Sequence, residues 1–256
     1  MALRGHRTAI ALAACSLTVS ALLTACGGSD DEGADAEATT TAGDPSPGTE
    51  PAEDDPEDEA PAEDEPEAPA PDTLTETQLA QALLTQGDLA EFRFDEVPVT
   101  HRDGTTAEPA ACQPLENVRL FALDPAPVAL AGTLATGTSG DAAGTATTVI
   151  LAAYDLADAE QIMADLETAV ADCAEGFDGG ALRFTSVTPT TPPDLADDRV
   201  AFELLGDGTQ PGWYTVIRTG STLALFHTAT GTDASAAVPD PLVVQQFMKI
   251  QAASQT

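Results

Sequence analysis

Few side chains in this sequence are equipped for chemistry, and their spacing argues against most reactions. Ser139 stands in Gly-Thr-Ser-Gly-Asp, residues 137–141. A hydrolase elbow needs Gly-x-Ser-x-Gly, so that the chain can turn sharply from strand to helix under an exposed hydroxyl. Here Asp141 takes the place of the second glycine, and the surrounding Gly and Thr residues read as a hairpin loop. The histidines are His6, His101 and His227, and neither His101 nor His227 lies near a second imidazole or a cysteine in sequence. That pattern lacks the short ligand spacings from which zinc sites are built. The expectation is therefore a non-enzymatic chain with no catalytic residue, no metal and no cofactor.

The cysteine with an informative context is Cys26, in Leu-Leu-Thr-Ala-Cys-Gly-Gly, residues 22–28. Arg4 and Arg7 precede a stretch from Thr8 to Leu23 whose apolar character is broken mainly by Ser and Thr, the layout of a secretory signal peptide. The stretch is short for a spanning helix and has no basic stop-transfer flank. Leu23-Thr24-Ala25-Cys26 resembles the bacterial lipobox. That resemblance implies removal of residues 1–25, a diacylglyceryl group on the Cys26 thiol and acylation of the new amine. A second match, ending at Cys15, would leave only Thr8 to Ala14 as apolar core and strand Leu17 to Leu23 on the mature N-terminus, so Cys26 is the better site. Acyl chains contribute about 0.8 kcal/mol per buried CH2, so two or three make membrane attachment effectively permanent. The expected location is the extracytoplasmic face of the cell membrane.

From Gly27 to Asp72 there is no Leu, Val, Ile, Met or aromatic residue, and there are 18 acidic residues and no basic one. Charge repulsion and eight prolines favour an extended, disordered acidic tether over residues 26–72. It would reach roughly 40 Å as a coil and on the order of 140 Å as polyproline II. No Asp-x-Asp-x-Asp-Gly loop occurs, so a spacer is favoured over a calcium site. Residues 73–256 have the size of one domain. They carry 25 acidic and 7 basic residues, a formal charge near −18, which excludes nucleic acid as a partner. Cys112 and Cys173 form an even pair in an exported chain and lack Cys-x-x-Cys spacing; they read as a disulfide.

Periodicity predicts helix and sheet in an α+β order. Thr75 and Gln78 form a capping box before Leu79, Leu83 and Leu84, with Gly87 as a stop. A strand follows near Phe92, a helix over Cys112 to Leu123, and two strands joined at Gly140 to Gly144. The strongest helix starts with Asp158 as cap and carries Ile162, Met163, Leu166, Ala169, Val170 and Cys173 on one stripe. Strands are expected over Leu182 to Thr188 and Arg199 to Leu205, and a final helix has Asp240 as cap and Pro241 in its first turn. Between these lies a hairpin turning at Gly220 and Ser221, a pair that suits a type II′ turn. This register puts Trp213, Thr215, Ile217, Ala224 and Phe226 on one face and Tyr214, Val216, Arg218, Leu223, Leu225 and His227 on the other. Both faces are largely apolar, so each must be covered by helices or open as a groove. Tyr214, Arg218 and His227 are the candidate ligand-cleft residues.

The order of "LTETQLAQALLTQGDL", Cys112, "YDLADAEQIMADLETAVADC", "DDRVAFELL", "VIRTGSTLALF" and "VPDPLVVQQFMKI" resembles the extracellular sensor domain of PknH-like kinases, found also in actinobacterial lipoproteins. The resemblance implies a single domain with a twisted antiparallel sheet packed by helices and a cleft proposed to bind a ligand. Kinase-linked members carry two disulfides, whereas this domain has cysteines for one. The favoured expectation is a lipid-anchored, non-catalytic, sensor-like binding module. Its acidic surface would suit a neutral or cationic ligand, such as a cell-wall fragment or an apolar small molecule. The alternative is a structural or accessory envelope protein that docks on another protein. Cys26→Ser is expected to abolish metabolic palmitate labelling and release the protein from the membrane fraction; retained label and attachment would overturn the lipobox reading.

Overall fold

The hairpin between β7 (Gly212–Thr219) and β8 (Thr222–Thr230) organises the sheet. Gly220 takes φ +58, a value that costs a residue without Cβ nothing. The two-residue turn fixes Thr219 opposite Thr222 and Tyr214 opposite His227, the register expected from the sequence. The computed structural model describes residues 73–195, 198–230 and 237–255. The expected signal peptide, the expected lipidation site Cys26 and the expected acidic tether lie outside the described residues.

Six further strands complete one sheet: β1 (Phe92–Glu96), β2 (Ala129–Gly137), β3 (Thr145–Ala153), β4 (Phe177–Asp178), β5 (Arg183–Pro189) and β6 (Arg199–Gly206). The order is β1-β2-β3-β8-β7-β6-β5-β4, and every neighbouring pair is antiparallel. The central strands bury both parities of side chain. Trp213, Ile217, Ala224 and Phe226 join Val149 and Leu151 in one apolar layer with Leu79, Leu242 and Phe247, which come from α1 (Glu76–Ala82) and α4 (Asp240–Ala253). Tyr214, Val216, Leu223 and Leu225 join Phe202 and Ile150 in the other, with Leu115 and Leu166 from α2 (Gln113–Leu120) and α3 (Leu156–Asp172). The architecture is a single α+β domain with helices on both faces of an antiparallel sheet.

The helix ends depart from the sequence reading in instructive ways. The Thr75–Gln78 capping box forms as expected, but α1 ends at Ala82, well short of Gly87. Gln246 of α4, fully buried, accepts from the Leu84 N–H at 3.2 Å and donates to the Ala82 carbonyl at 2.7 Å. A side chain distant in sequence thus satisfies the end of α1, and Leu83 and Leu84 turn into the core. Helix α3 begins one turn before the expected cap: Asp155 is its N-cap and Asp158 sits in the first turn, where a carboxylate still favours the helix dipole. Likewise Pro239, not Asp240, caps α4. The expected α3 stripe is buried along its length, from Ile162 to Cys173.

Cys112 closes a short 3-10 turn that leads into α2, and Cys173 caps the C-terminus of α3. The two are bonded, with Cα atoms 5.9 Å apart and a sequence separation of 61. The expected bridge is therefore present, and it ties α2 to α3 on one face of the sheet. Among the described residues no helix is long and apolar enough to cross a membrane. Reducing the bridge, or replacing both cysteines with Ser, is expected to lower unfolding stability by about 4 kcal/mol in the loop-entropy treatment. Urea titration with and without reductant measures this, and an unchanged midpoint would mean that α2–α3 packing alone constrains the loop.

Candidate functional site

Strand register assembles the candidate site. Directly opposed residues on antiparallel strands share a face, and strands lie about 4.8 Å apart, close to an aromatic stacking distance. Phe202 of β6 faces Tyr214 of β7, which faces His227 of β8. Their rings form a continuous stack: Phe202–Tyr214 centroids are 5.2 Å apart at 10°, and Tyr214–His227 centroids 4.6 Å apart at 9°. The row continues through Thr148 of β3 and Leu134 of β2, both half-buried like His227. Phe121 closes α2 in the left-handed conformation, φ 53, which brings its ring to 6.4 Å from His227.

Gly212 lies on the same strand face, two residues before Tyr214. A Cβ there would stand 3.2 Å from the Tyr214 Oη and 3.3 Å from the His227 Nε2. The glycine lets both polar tips converge over bare backbone. Among the described residues neither tip has a hydrogen-bond partner. Burial pushes the Tyr214 phenol up to about 12, with Arg119 pulling against the shift. Burial and the nearby Arg119 charge hold His227 below its ordinary value. At neutral pH the pair is an uncharged phenol and an uncharged imidazole, able to donate and accept hydrogen bonds beside an aromatic surface.

Arg119 and Glu116, from adjacent turns of α2, supply the local field. The guanidinium donates to both carboxylate oxygens, Nε at 2.7 Å and Nη2 at 2.6 Å. Glu116 is fully buried and also accepts from the Thr105 hydroxyl. Arg119 lies 5.5 Å from the centre of the Phe184 ring. Its hydrogen bonds to Glu116 raise its own pKa, so this cation is fixed. Gly179 makes room for the pair, since a Cβ there would come within 2.6 Å of a Glu116 oxygen.

Tyr214 and His227 are thus brought together, and Arg218 is held elsewhere. Arg218 is four residues from Tyr214 along β7, roughly 13 Å at strand rise. Its Nη2 pairs with Asp198 at 2.7 Å and lies 3.9 Å from Glu160, while Nη1 donates to the Gly220 carbonyl at 3.0 Å. It clamps the hairpin turn to the segment before β6 and to α3. Ser139 flanks the short 3-10 turn between β2 and β3, and His101 is exposed in the segment before α2. No group of three or more His, Cys, Asp or Glu able to hold a metal occurs among the described residues.

Sequence reasoning missed Phe202, Gly212, Phe121 and the Glu116–Arg119 pair. The i, i+3 spacing of Glu116 and Arg119 in a predicted helix was a readable signal. Phe202 was not readable, because its opposition to Tyr214 depends on β6–β7 register.

No known family profile matches the chain, and no curated protein matches it in sequence. Solved structures similar to this chain include the following two. The extracellular domain of PknH from Mycobacterium tuberculosis is 10% identical, over 72% of this chain and 98% of that one, with a TM-score of 0.49. A Rv0999 ortholog from Mycobacterium smegmatis is 17% identical, over 73% of this chain and 99% of that one, with a TM-score of 0.39.

The depressed pKa of His227 has a defined consequence for stability. Above about pH 6.5 the imidazole is neutral in both folded and unfolded chains and makes no pH-dependent contribution. Below that value the unfolded chain takes up the proton first, so stability falls as pH drops. Denaturation midpoints are expected to decline from pH 7 to 5.5, with a slope from this group of at most about 1.4 kcal/mol per pH unit. His227→Gln should flatten that decline, and an identical profile in the variant would contradict the assignment.

Proposed function

We propose that the chain is a lipid-anchored, extracytoplasmic, non-catalytic binding module, with the sheet face around Tyr214 and His227 as its recognition surface. The observation that carries this reading is the pair of uncharged tips converging over Gly212 without protein partners. Such groups satisfy one another in a purely structural role; here they lie beside a half-buried row of Leu134 and Thr148. The surface is shaped for a neutral ring-bearing ligand, which would lie against the imidazole face and hydrogen-bond to Tyr214 Oη and His227 Nε2. A cell-wall saccharide fragment has that chemistry. The signal peptide, Cys26 and the acidic tether support the placement, since together they would hold the domain outside the membrane on a long leash.

Titration with a soluble muropeptide digest, followed by chemical-shift changes of the His227 imidazole, tests the reading. Binding to the native chain and its loss in Tyr214→Ala and His227→Ala variants with unchanged circular dichroism are expected. Undiminished binding by folded variants would move the site off this face.

A further inference from the structure

A cavity independent of the Tyr214–His227 surface opens at the edge of the sheet on the α1 side. Its origin is a mismatch in strand length. β2 runs from Ala129 to Gly137, but β1 pairs with it only from Thr133 onward. The last contact is the Val97 N–H, which donates to the Gly132 carbonyl at 3.1 Å. Beyond it the chain leaves the sheet, and Val99 folds across Gly132 so closely that a Cβ there would overlap its methyl at 2.3 Å. The start of β2 is left without a strand neighbour on that side, and the early end of α1 leaves a gap above it.

The gap measures about 540 Å³, within the range of small-molecule sites. Leu83, Leu84, Phe94 and Ala131 give it an apolar lining, and its charged lining residues are two exposed carboxylates, Glu76 of α1 and Glu96 of β1. No Lys, Arg or His lines it. Glu76 comes from the helix and Glu96 from the edge strand. We infer that this cavity binds an organic cation with a short apolar body, an amine or quaternary ammonium whose charge sits between Glu76 and Glu96 and whose alkyl part occupies the apolar lining. The charge argument is specific: an anion of the same shape meets two carboxylates and no cation, within a domain whose formal charge is near −18.

The test uses the full exported chain carrying Cys26→Ser, so that the probe does not partition into attached acyl chains. Calorimetric titration with octyltrimethylammonium, below its micelle concentration, is compared with octanoate. One-to-one binding of the ammonium and none of octanoate is expected, with affinity falling as salt is raised. Glu76→Gln combined with Glu96→Gln should weaken binding about fivefold, as two exposed ion pairs would. Ala80→Trp, placing a large side chain from the exposed wall of α1 into the cavity, should abolish it while leaving the circular dichroism spectrum unchanged. Absence of ammonium binding, equal binding of octanoate, or binding unaffected by these substitutions would each overturn the inference.

Discussion

The structure depends on burying both faces of its central hairpin. In a half-exposed sheet, polar residues alternate with apolar ones; in β7 and β8 both parities are largely apolar, so both faces must be covered over most of their length. Two helical layers are therefore required, and the molecule secures them by different means. On one face α1 and α4 are tied by the buried amide of Gln246, which replaces the hydrogen bonds lost at the end of α1. On the other, α2 and α3 are tied by the Cys112–Cys173 bond. The amide link is conditional on α4 docking. The covalent link constrains the chain even when unfolded.

The fully buried carboxylate in this interior comes with its partners. Glu116 is buried and therefore costly, but Arg119 and Thr105 supply three hydrogen bonds to it. Removing either charge would leave the other uncompensated, the situation in which buried pairs matter most. The pair also fixes a positive charge beside Tyr214 and His227, and with burial it helps keep the imidazole neutral.

Much of the fold was legible because it is locally encoded. The Thr75–Gln78 box, the α3 stripe and the Gly220–Ser221 turn each rest on residues within a few positions of one another, and the turn carried the whole β7–β8 register with it. The same logic brought Tyr214 and His227 together correctly. Where local signals compete, the sequence misleads: Asp155, Asp158 and Glu160 all flank the start of α3, and the structure makes Asp155, not the expected Asp158, its N-cap. Arg218 shares a strand face with Tyr214 by parity, but parity says nothing of distance along the strand or of the Asp198 carboxylate that holds it.

By itself the sequence determined the composition-driven features: the segment with the layout of an export signal, an acidic stretch that cannot supply a core, and a domain whose central strands must be covered twice. These follow from residue type and short-range spacing alone. The tertiary structure decided which side chains meet across paired strands and between docked helices. Phe202 joined the stack, Gln246 ended α1 early, and the unequal lengths of β1 and β2 left a cavity at the sheet edge. Each depends on register or docking between segments from about a dozen to more than a hundred residues apart, where the free energy comes from packing that no local pattern records.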